Sequence, residues 1–174
     1  MENASVRLMH YDPRWRQEFE QTRSSILSSC EGDVVAVEHI GSTAISGLIA
    51  RPTIDVLAGV TNPASIPSAA RLIEGLNFRR EPFGDWHDRD GVQLIKPRHR
   101  SESEPEPTHC VFLMVHRSDS WKQTIAIRDF LRTHPELAID FEEAKVKQWR
   151  HGEGDPRRYA ANKAIFFAHL LDQM

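Results

Sequence analysis

The sequence contains few cysteines, no long apolar run and no excess of one charge. Its two cysteines, Cys30 and Cys110, are spread over 174 residues and lack partners in a zinc-binding spacing, which argues against a disulfide framework or a zinc finger. We expect both thiols to be reduced and buried. No stretch approaches the roughly 20 apolar residues of a membrane span, and the first residues lack the features of a secretory leader. The sequence therefore predicts a cytoplasmic protein with no membrane partner.

The charge balance gives no reason to expect a nucleic acid. The formal net charge is -3, with 27% charged and 40% apolar residues. The one basic cluster, residues 96–100, is followed by glutamates and lacks interleaved aromatic residues, so we expect no nucleic-acid partner. Length and composition predict a single domain over 1–174, with a sheet-containing core to about residue 115 and a helical part over 118–174.

Hydrophobic periodicity predicts the order of the elements. After a short strand or lead-in over 6–11, Asp12 and Pro13 begin a helix that runs to about residue 29. A second helix is expected from Asn62 to about Asn77, and a third from Ser118 to about residue 133. Two more helices are predicted over 135–149 and 156–173. Strands are predicted over 34–40, 53–60, 78–83, 92–96 and 109–115, with the third and fourth forming an antiparallel pair.

The segments between these elements are polar. Residues 84–91 join the antiparallel pair, and residues 97–108, rich in proline and glutamate, should form a mobile surface loop. A mixed sheet followed by a helical C-terminal third is an α+β fold.

The chemistry-bearing pattern begins where the strand Val34–Ile40 ends in Gly41-Ser-Thr43. A glycine-serine turn can bring backbone N–H groups close to phosphates, and Asp55 follows in the next strand, where a carboxylate could hold Mg²⁺. A metal-dependent nucleotidyl transferase needs carboxylates at i and i+2, but the second position is Leu57. Glu38 and a carboxylate from Asp85, Asp88 or Asp90 could complete the site if the fold brings them close.

Each of these residues also has a structural interpretation. The Gly-Ser-Thr segment could be an ordinary turn at a strand end, and Asp55 could satisfy backbone amides or pair with Arg51. For activation of an acceptor, His109 and His39 are the candidates because histidine titrates near neutral pH, although a histidine in a strand is more often a hydrogen-bonded structural residue. Arg51, Lys145 and Lys163 could add positive charge toward a polyphosphate, while the lysines also fit solvated helix faces.

Several blocks together resemble the GrpB family over nearly the whole chain. They include Glu38-His-Ile-Gly-Ser-Thr-Ala44, Arg51-Pro-Thr-Ile-Asp55, Arg128-Asp-Phe-Leu-Arg132 and Tyr159-x-x-x-Lys163. The resemblance implies the nucleotidyltransferase-like fold of a polymerase-beta-like core. The chain departs from the family pattern at Arg51, where lysine is usual, at Ser46, where proline is usual, and after His109, where further histidines are usual.

Three functions follow as hypotheses. In the first, the protein binds a nucleoside triphosphate with Mg²⁺ and transfers a nucleotidyl group to an unknown acceptor, with Gly41, Ser42, Thr43 and Arg51 on phosphate, Asp55 on the metal, and His109 or His39 at the acceptor. In the second, it is a catalytically reduced module that binds a phosphate ligand or a protein, linked to coenzyme A metabolism because GrpB-like domains occur fused to dephospho-coenzyme A kinase. The third is a metal-dependent hydrolase using His39, Asp55 and His109.

Overall fold

The computed structural model describes residues 7–81, 91–99 and 106–151, together with residues 172 and 174. Within these ranges the chain forms four helices and five strands. The helices are α1 Arg14–Ser29, α2 Ile66–Glu74, α3 Asp119–Thr133 and α4 Pro135–His151. The strands are β1 Val34–Ile40, β2 Ile54–Val60, β3 Arg79–Glu81, β4 Val92–Lys96 and β5 His109–Val115. Short 3₁₀ turns cover Ser42–Ala44 and Pro63–Ser65.

The strands form one mixed sheet in the order β1-β2-β5-β4-β3. β2 runs parallel to β5, and the other neighbouring pairs are antiparallel. The central strands β2 and β5 are almost entirely apolar because both of their faces are covered. This arrangement confirms the predicted α+β class and the mixed sheet with flanking helices.

The two faces of the sheet pack against different helices. Successive side chains of a strand point to opposite faces. On the first face, Val56 and Val111 join one core cluster with residues of α1 and α2, including Phe19 and Ile73. On the second face, Leu57 and its neighbours pack against Trp121 of α3. A further cluster joins α3 and α4 to Ile45 and Leu48 of the segment after β1.

Most predicted element boundaries agree with the structure. The α1 start is tied down as expected, because the Arg14 backbone N–H donates to Asp12 Oδ1 over 2.9 Å, and Ser118 accepts from the Trp121 N–H at the start of α3. One prediction was wrong in detail. The predicted second helix begins as a 3₁₀ turn and ends at Glu74, because Gly75 closes it and Asn77 takes a left-handed φ of 71°. The segment predicted as a short strand or lead-in is a lead-in, whose described residues form the bridge between Met9 and Ala50.

Some predictions fall partly or wholly outside the described residues. These are the helix over 156–173, most of the polar connection over 84–91 and the middle of the loop over 97–108. No helix in the described part of the chain is long and apolar enough to cross a membrane.

Candidate functional site

The turn after β1 brings two predicted site residues, Gly41 and Asp55, into direct contact. Gly41 has a φ of 72°, and a Cβ added there would lie 2.5 Å from Asp55 Oδ2. Only glycine fits, because both the backbone conformation and the space exclude a side chain. The chain then enters the 3₁₀ turn Ser42–Ala44, in which the Ala44 N–H donates to the Gly41 carbonyl over 3.1 Å. The carboxylate of Asp55 therefore lies against the backbone of the predicted phosphate-binding turn.

The neighbours of Asp55 on the sheet provide little for a metal. Asp55 is paired with Ile40 on β1 and Cys110 on β5, and Leu57 occupies the next position on the same face. Glu38 shares this face but is paired with Arg128 of α3, as described below. Across the residues that the structure describes, no group of three His, Cys, Asp or Glu side chains is arranged to hold a metal ion. These residues thus do not fit a resident metal, and Asp85, Asp88 and Asp90 lie outside the described ranges.

His39 lies on the opposite face from Asp55. It is registered with Val56, one residue from the Ile40–Asp55 pair. Its ring stacks on Phe19 of α1 with 4.6 Å between centroids, and Nε2 lies 2.9 Å from Thr43 Oγ1. Burial, reinforced by the charges of Arg132 and Arg128, lowers the pKa of His39 to about 4. His39 is therefore neutral at physiological pH.

His109 shares the face of His39 but not its surroundings. It is registered with Ile54 on β2, and its Nδ1 lies 2.9 Å from Thr108 Oγ1. Burial and the charge of Lys96 lower the pKa of His109 to about 4. Both predicted acid-base residues thus face the α1 and α2 layer, and strand alternation separates them from the Asp55 carboxylate.

The remaining predicted site residues have different partners and locations. Ser42 and Thr43 are both buried, and Thr43 is hydrogen-bonded to His39. Arg51 forms an ion pair with Glu106, with 3.7 Å between Nη1 and Oε1. Lys145 lies in α4, and Lys163 lies outside the described residues.

A cleft of about 760 Å³ opens beside the turn, and we call it the arginine cleft. Its walls come from α1, the end of β1, residues 43–48, α3 and the start of α4. Three arginines line it, Arg16 of α1 and Arg128 and Arg132 of α3, together with His39 and Thr43. Sequence reasoning assigned none of these arginines a role. The available signal was the Arg128-Asp-Phe-Leu-Arg132 block, whose i, i+4 spacing puts both guanidinium groups on one face of a helix.

Arg128 fastens α3 to the end of β1. Its Nη1 donates to Glu38 Oε2 over 2.7 Å and to the His39 carbonyl over 3.1 Å, and its side chain is only 10% exposed. Burial alone would lower the pKa of Arg128, but the hydrogen bonds to Glu38 and Asp129 outweigh burial and raise that pKa. Arg128 is thus a structural cation whose charge is largely matched by carboxylates.

Arg132 and Arg16 are more available to a ligand. The Nε of Arg132 donates to the Ala44 carbonyl over 3.0 Å, and Arg132 makes no ion pair with any described residue. Burial and the nearby charge of Arg128 lower the pKa of Arg132, with a smaller contribution from Arg16. The two side chains therefore place positive charge close together without a described carboxylate bonded to either.

The other groups in the cleft are mixed in character. Glu20 and Glu142 line it as well as Glu38, so it offers hydrogen-bond acceptors as well as cations. Ser46 and Gly47 also line the cleft, and in the described part of the chain their backbone N–H groups donate to no partner. Such a set suits a ligand that carries anionic groups together with hydroxyl or amino groups.

Comparison with known proteins gives consistent matches over the whole chain. The sequence model described as "GrpB protein" matches residues 5–173. A UPF0157 protein of Deinococcus radiodurans is 30% identical over 174 residues, covering 95% of this chain and 81% of that protein. The Glutamate-rich protein GrpB of Alkalihalophilus pseudofirmus is 23% identical over 175 residues, covering 98% of this chain and 97% of its own.

Two further matches bear on fold and context. The crystal structure of conserved protein GrpB from Enterococcus faecalis superposes with a TM-score of 0.78 at 22% identity, covering 96% of this chain and 98% of that one, so the two share a fold. A dephospho-CoA kinase of Mycobacterium tuberculosis is 25% identical over 184 residues, covering 94% of this chain but only 44% of the kinase.

Proposed function

Since the chain belongs to the GrpB family, whose superfamily is nucleotidyltransferase-like, we propose that it binds a nucleoside triphosphate or a related phosphate-bearing ligand in the arginine cleft. The observation that carries this proposal is the convergence of Arg16 and Arg132 on one cleft beside the turn after β1. Guanidinium groups bind phosphate oxygens through several donors at once, and the N–H groups of Ser46 and Gly47 add neutral donors nearby. The volume of about 760 Å³ is adequate for a nucleotide-sized ligand.

Binding without catalysis is the form of this proposal that the local chemistry favours. The carboxylate of Asp55 lies beside Gly41, and Leu57 removes the second ligand position on the strand. The dephospho-CoA kinase relative supports adding dephospho-CoA and coenzyme A to the candidate ligands, because a domain of this kind forms part of that protein. The proposed role is then a phosphate-ligand module associated with coenzyme A metabolism.

Calorimetric titration tests the binding proposal. ATP, GTP, CTP, UTP, dephospho-CoA and coenzyme A would each be titrated into the wild-type protein and into Arg132→Met. Loss of a charged hydrogen-bond donor should weaken binding of the preferred ligand by about tenfold or more. Arg71→Met, which removes an exposed arginine on α2 away from the cleft, serves as the matched control. Equal affinities for wild type and Arg132→Met would place the ligand elsewhere or reject the proposal.

Nucleotidyl transfer with Mg²⁺ remains a second candidate, favoured by the contact between Asp55 and Gly41. Mg²⁺ commonly binds through one or two carboxylates plus the phosphates of the substrate, so a metal would have to arrive with its nucleotide. On this hypothesis Asp55 would hold the metal, and the turn would position the phosphates. His39 and His109 are placed poorly for proton transfer there, since they lie on the other face of the sheet.

The two candidates differ in their dependence on metal and on Asp55. Titrations with and without Mg²⁺, on wild type and Asp55→Ala, separate them. Binding that requires both Mg²⁺ and Asp55 would support transfer, and pyrophosphate release from a bound triphosphate would then identify turnover. Metal-independent binding that survives in Asp55→Ala but not in Arg132→Met would support the binding module.

A further inference from the structure

His39 is held in one orientation within the wall of the arginine cleft. Only 7% of its surface is exposed, and its ring is fixed by the stack on Phe19 and by the 2.9 Å contact between Nε2 and Thr43 Oγ1. Because His39 also lines the cleft, the accessible part of its side chain faces that space. A buried, oriented polar ring at a ligand-sized opening can discriminate between ligand groups.

The hydrogen bonds of Thr43 indicate which ring nitrogen of His39 carries the proton. Thr43 Oγ1 donates to the Thr53 carbonyl over 3.4 Å, and a carbonyl oxygen can only accept. With its single proton used in this way, the Thr43 oxygen accepts from His39, so Nε2 carries the hydrogen. In the neutral ring Nδ1 is then an acceptor, and within the described ranges it has no hydrogen-bond partner.

A neutral acceptor at this position restricts the ligand group that can sit beside it. Phosphate oxygens are acceptors at neutral pH and would leave Nδ1 unpaired, whereas a hydroxyl group can donate to it. Burial and the charges of Arg132 and Arg128 lower the pKa of His39, so Arg132, which would bind phosphate, also disfavours a charged imidazole. The phosphates and the group at His39 must therefore be different parts of the ligand.

Resting on the proposed function, we infer that His39 Nδ1 accepts a hydrogen bond from a ribose hydroxyl of a nucleotide whose phosphates bind Arg16 and Arg132. A nucleotide carries an anionic chain and hydroxyl donors on one sugar, which matches the two chemistries of the cleft. His39 is on this inference a specificity residue that selects ribonucleotides, and it has no role in proton transfer.

The tautomer can be tested without any ligand. Two-bond proton–nitrogen correlation spectra of the ¹⁵N-labelled free protein report which imidazole nitrogen is protonated, and His39→Gln identifies the His39 signals by their loss. The expected result is a neutral ring with the hydrogen on Nε2 at pH 7. A hydrogen on Nδ1 would overturn the inference whatever ligand the protein binds.

The ribose contact is tested by a thermodynamic cycle that combines one protein variant with analogues of the ligand. ATP, 2′-deoxy-ATP and 3′-deoxy-ATP would be titrated into wild type and His39→Gln, because the glutamine amide can still donate to Thr43 but offers no acceptor at Nδ1. Wild type should bind ATP about three- to tenfold more tightly than one of the deoxy analogues. In His39→Gln the ratio should fall to about one.

The possible failures are distinguishable. Equal binding of all three nucleotides by wild type, with the dependence on Arg132 intact, would reject the ribose contact and leave the proposed function standing. Loss of discrimination in Glu20→Gln or Glu142→Gln, with discrimination kept in His39→Gln, would assign the hydroxyl to a carboxylate and overturn the inference. Absence of binding to all three, together with no binding of GTP, CTP, UTP, dephospho-CoA or coenzyme A in the titrations above, would reject both proposals, and the tautomer would then describe a structural histidine.

Discussion

Ile40, which pairs with Asp55, and His39, which lines the arginine cleft, are adjacent residues of β1. The Asp55 side of the sheet and the arginine cleft nevertheless offer different chemistry. Beside Asp55 the neighbours are Ile40, Leu57 and Cys110, with the glycine backbone packed against the carboxylate. Around the cleft are arginines, hydroxyl groups and a neutral histidine. The sequence block from Glu38 to Thr43 is continuous, but strand alternation and the following turn distribute its side chains between the two environments.

On the proposed function, this difference separates recognition from catalysis. Catalysis at Asp55 would need a metal that arrives with its nucleotide, because the described residues contain no group of three metal ligands, whereas recognition in the cleft would need the donors and cations that line it. On this proposal, the segment from Glu38 to Thr43, which resembles part of a catalytic centre, contributes to a binding site at the end of β1. The following predictions test how strictly the two sides are separated.

The largest expected effect is loss of stability in acid. His39 has a pKa of about 4 in the folded protein, against about 6.5 when unfolded, so protons bind preferentially to the unfolded chain. Its contribution to stability is fully present above pH 6.5 and is lost as the pH falls toward 4. The loss is roughly 3 kcal/mol for this one group.

Urea denaturation at pH 7, 6, 5 and 4 measures this loss. Because the charges of Arg132 and Arg128 also act on His39, the comparison is made between wild type and His39→Gln. The variant should be less stable at pH 7 but should lose less stability on acidification. If the unfolding free energies of the two proteins fall in parallel as the pH is lowered, His39 is not buried in neutral form.

Removal of Arg128 should have the next largest effect. Arg128→Met deletes the charged donors to Glu38 and to the His39 carbonyl, and we expect a loss of about 2 to 3 kcal/mol in unfolding free energy. Urea denaturation at pH 7 provides the measurement, with Lys122→Met as a control at an exposed site on the same helix. Partial recovery in the double variant with Glu38→Gln would identify the ion pair as a cause. Equal losses in Arg128→Met and Lys122→Met would mean that α3 is not fastened to β1 by this side chain.

Local sequence patterns predicted the secondary structure well and the site only in part. The β-branched run of β1, the apolar run of β5 and the capping residues Asp12 and Ser118 are local signals, and those elements form where they were expected. The sequence pattern predicted that the turn containing Gly41 lies beside the strand containing Asp55, and in the structure these two residues are in contact.

The arginine cleft could not be predicted in this way, because it depends on how α3 packs across β1. Arg128 and Glu38 lie 90 residues apart in sequence, and no local pattern encodes that contact. The opposite facing of His39 and Asp55 likewise depends on the register of β1 against β2, which is a tertiary property.

A pair of glycines tests the Asp55 side. Gly41→Ala and Gly47→Ala both place an alanine at positive φ, 72° and 81° respectively, at a backbone cost of about 1 to 2 kcal/mol each. At Gly47 nothing lies within 4 Å of the new Cβ, whereas at Gly41 it meets the Asp55 carboxylate. We expect Gly41→Ala to be the less stable variant by a further 1 to 2 kcal/mol or so in thermal or urea denaturation.

The carboxylate itself can be removed to check the cause of that difference. Combining Gly41→Ala with Asp55→Ala should lower the unfolding free energy by less than the sum of the two single changes, because the double variant no longer contains the clashing oxygen. Strict additivity would mean that Gly41 and Asp55 do not contact each other in solution.

The smallest expected effect is that of Mg²⁺ on the free protein. One carboxylate with apolar neighbours holds Mg²⁺ weakly, so adding the ion without nucleotide should leave the melting temperature of wild type and Asp55→Asn unchanged relative to NaCl of equal ionic strength. A rise in wild type that disappears in Asp55→Asn would show that a second ligand, such as Asp85, Asp88 or Asp90, completes the site. The Asp55 side would then be equipped for metal chemistry, and the separation between a recognition cleft and an incomplete metal site would no longer hold.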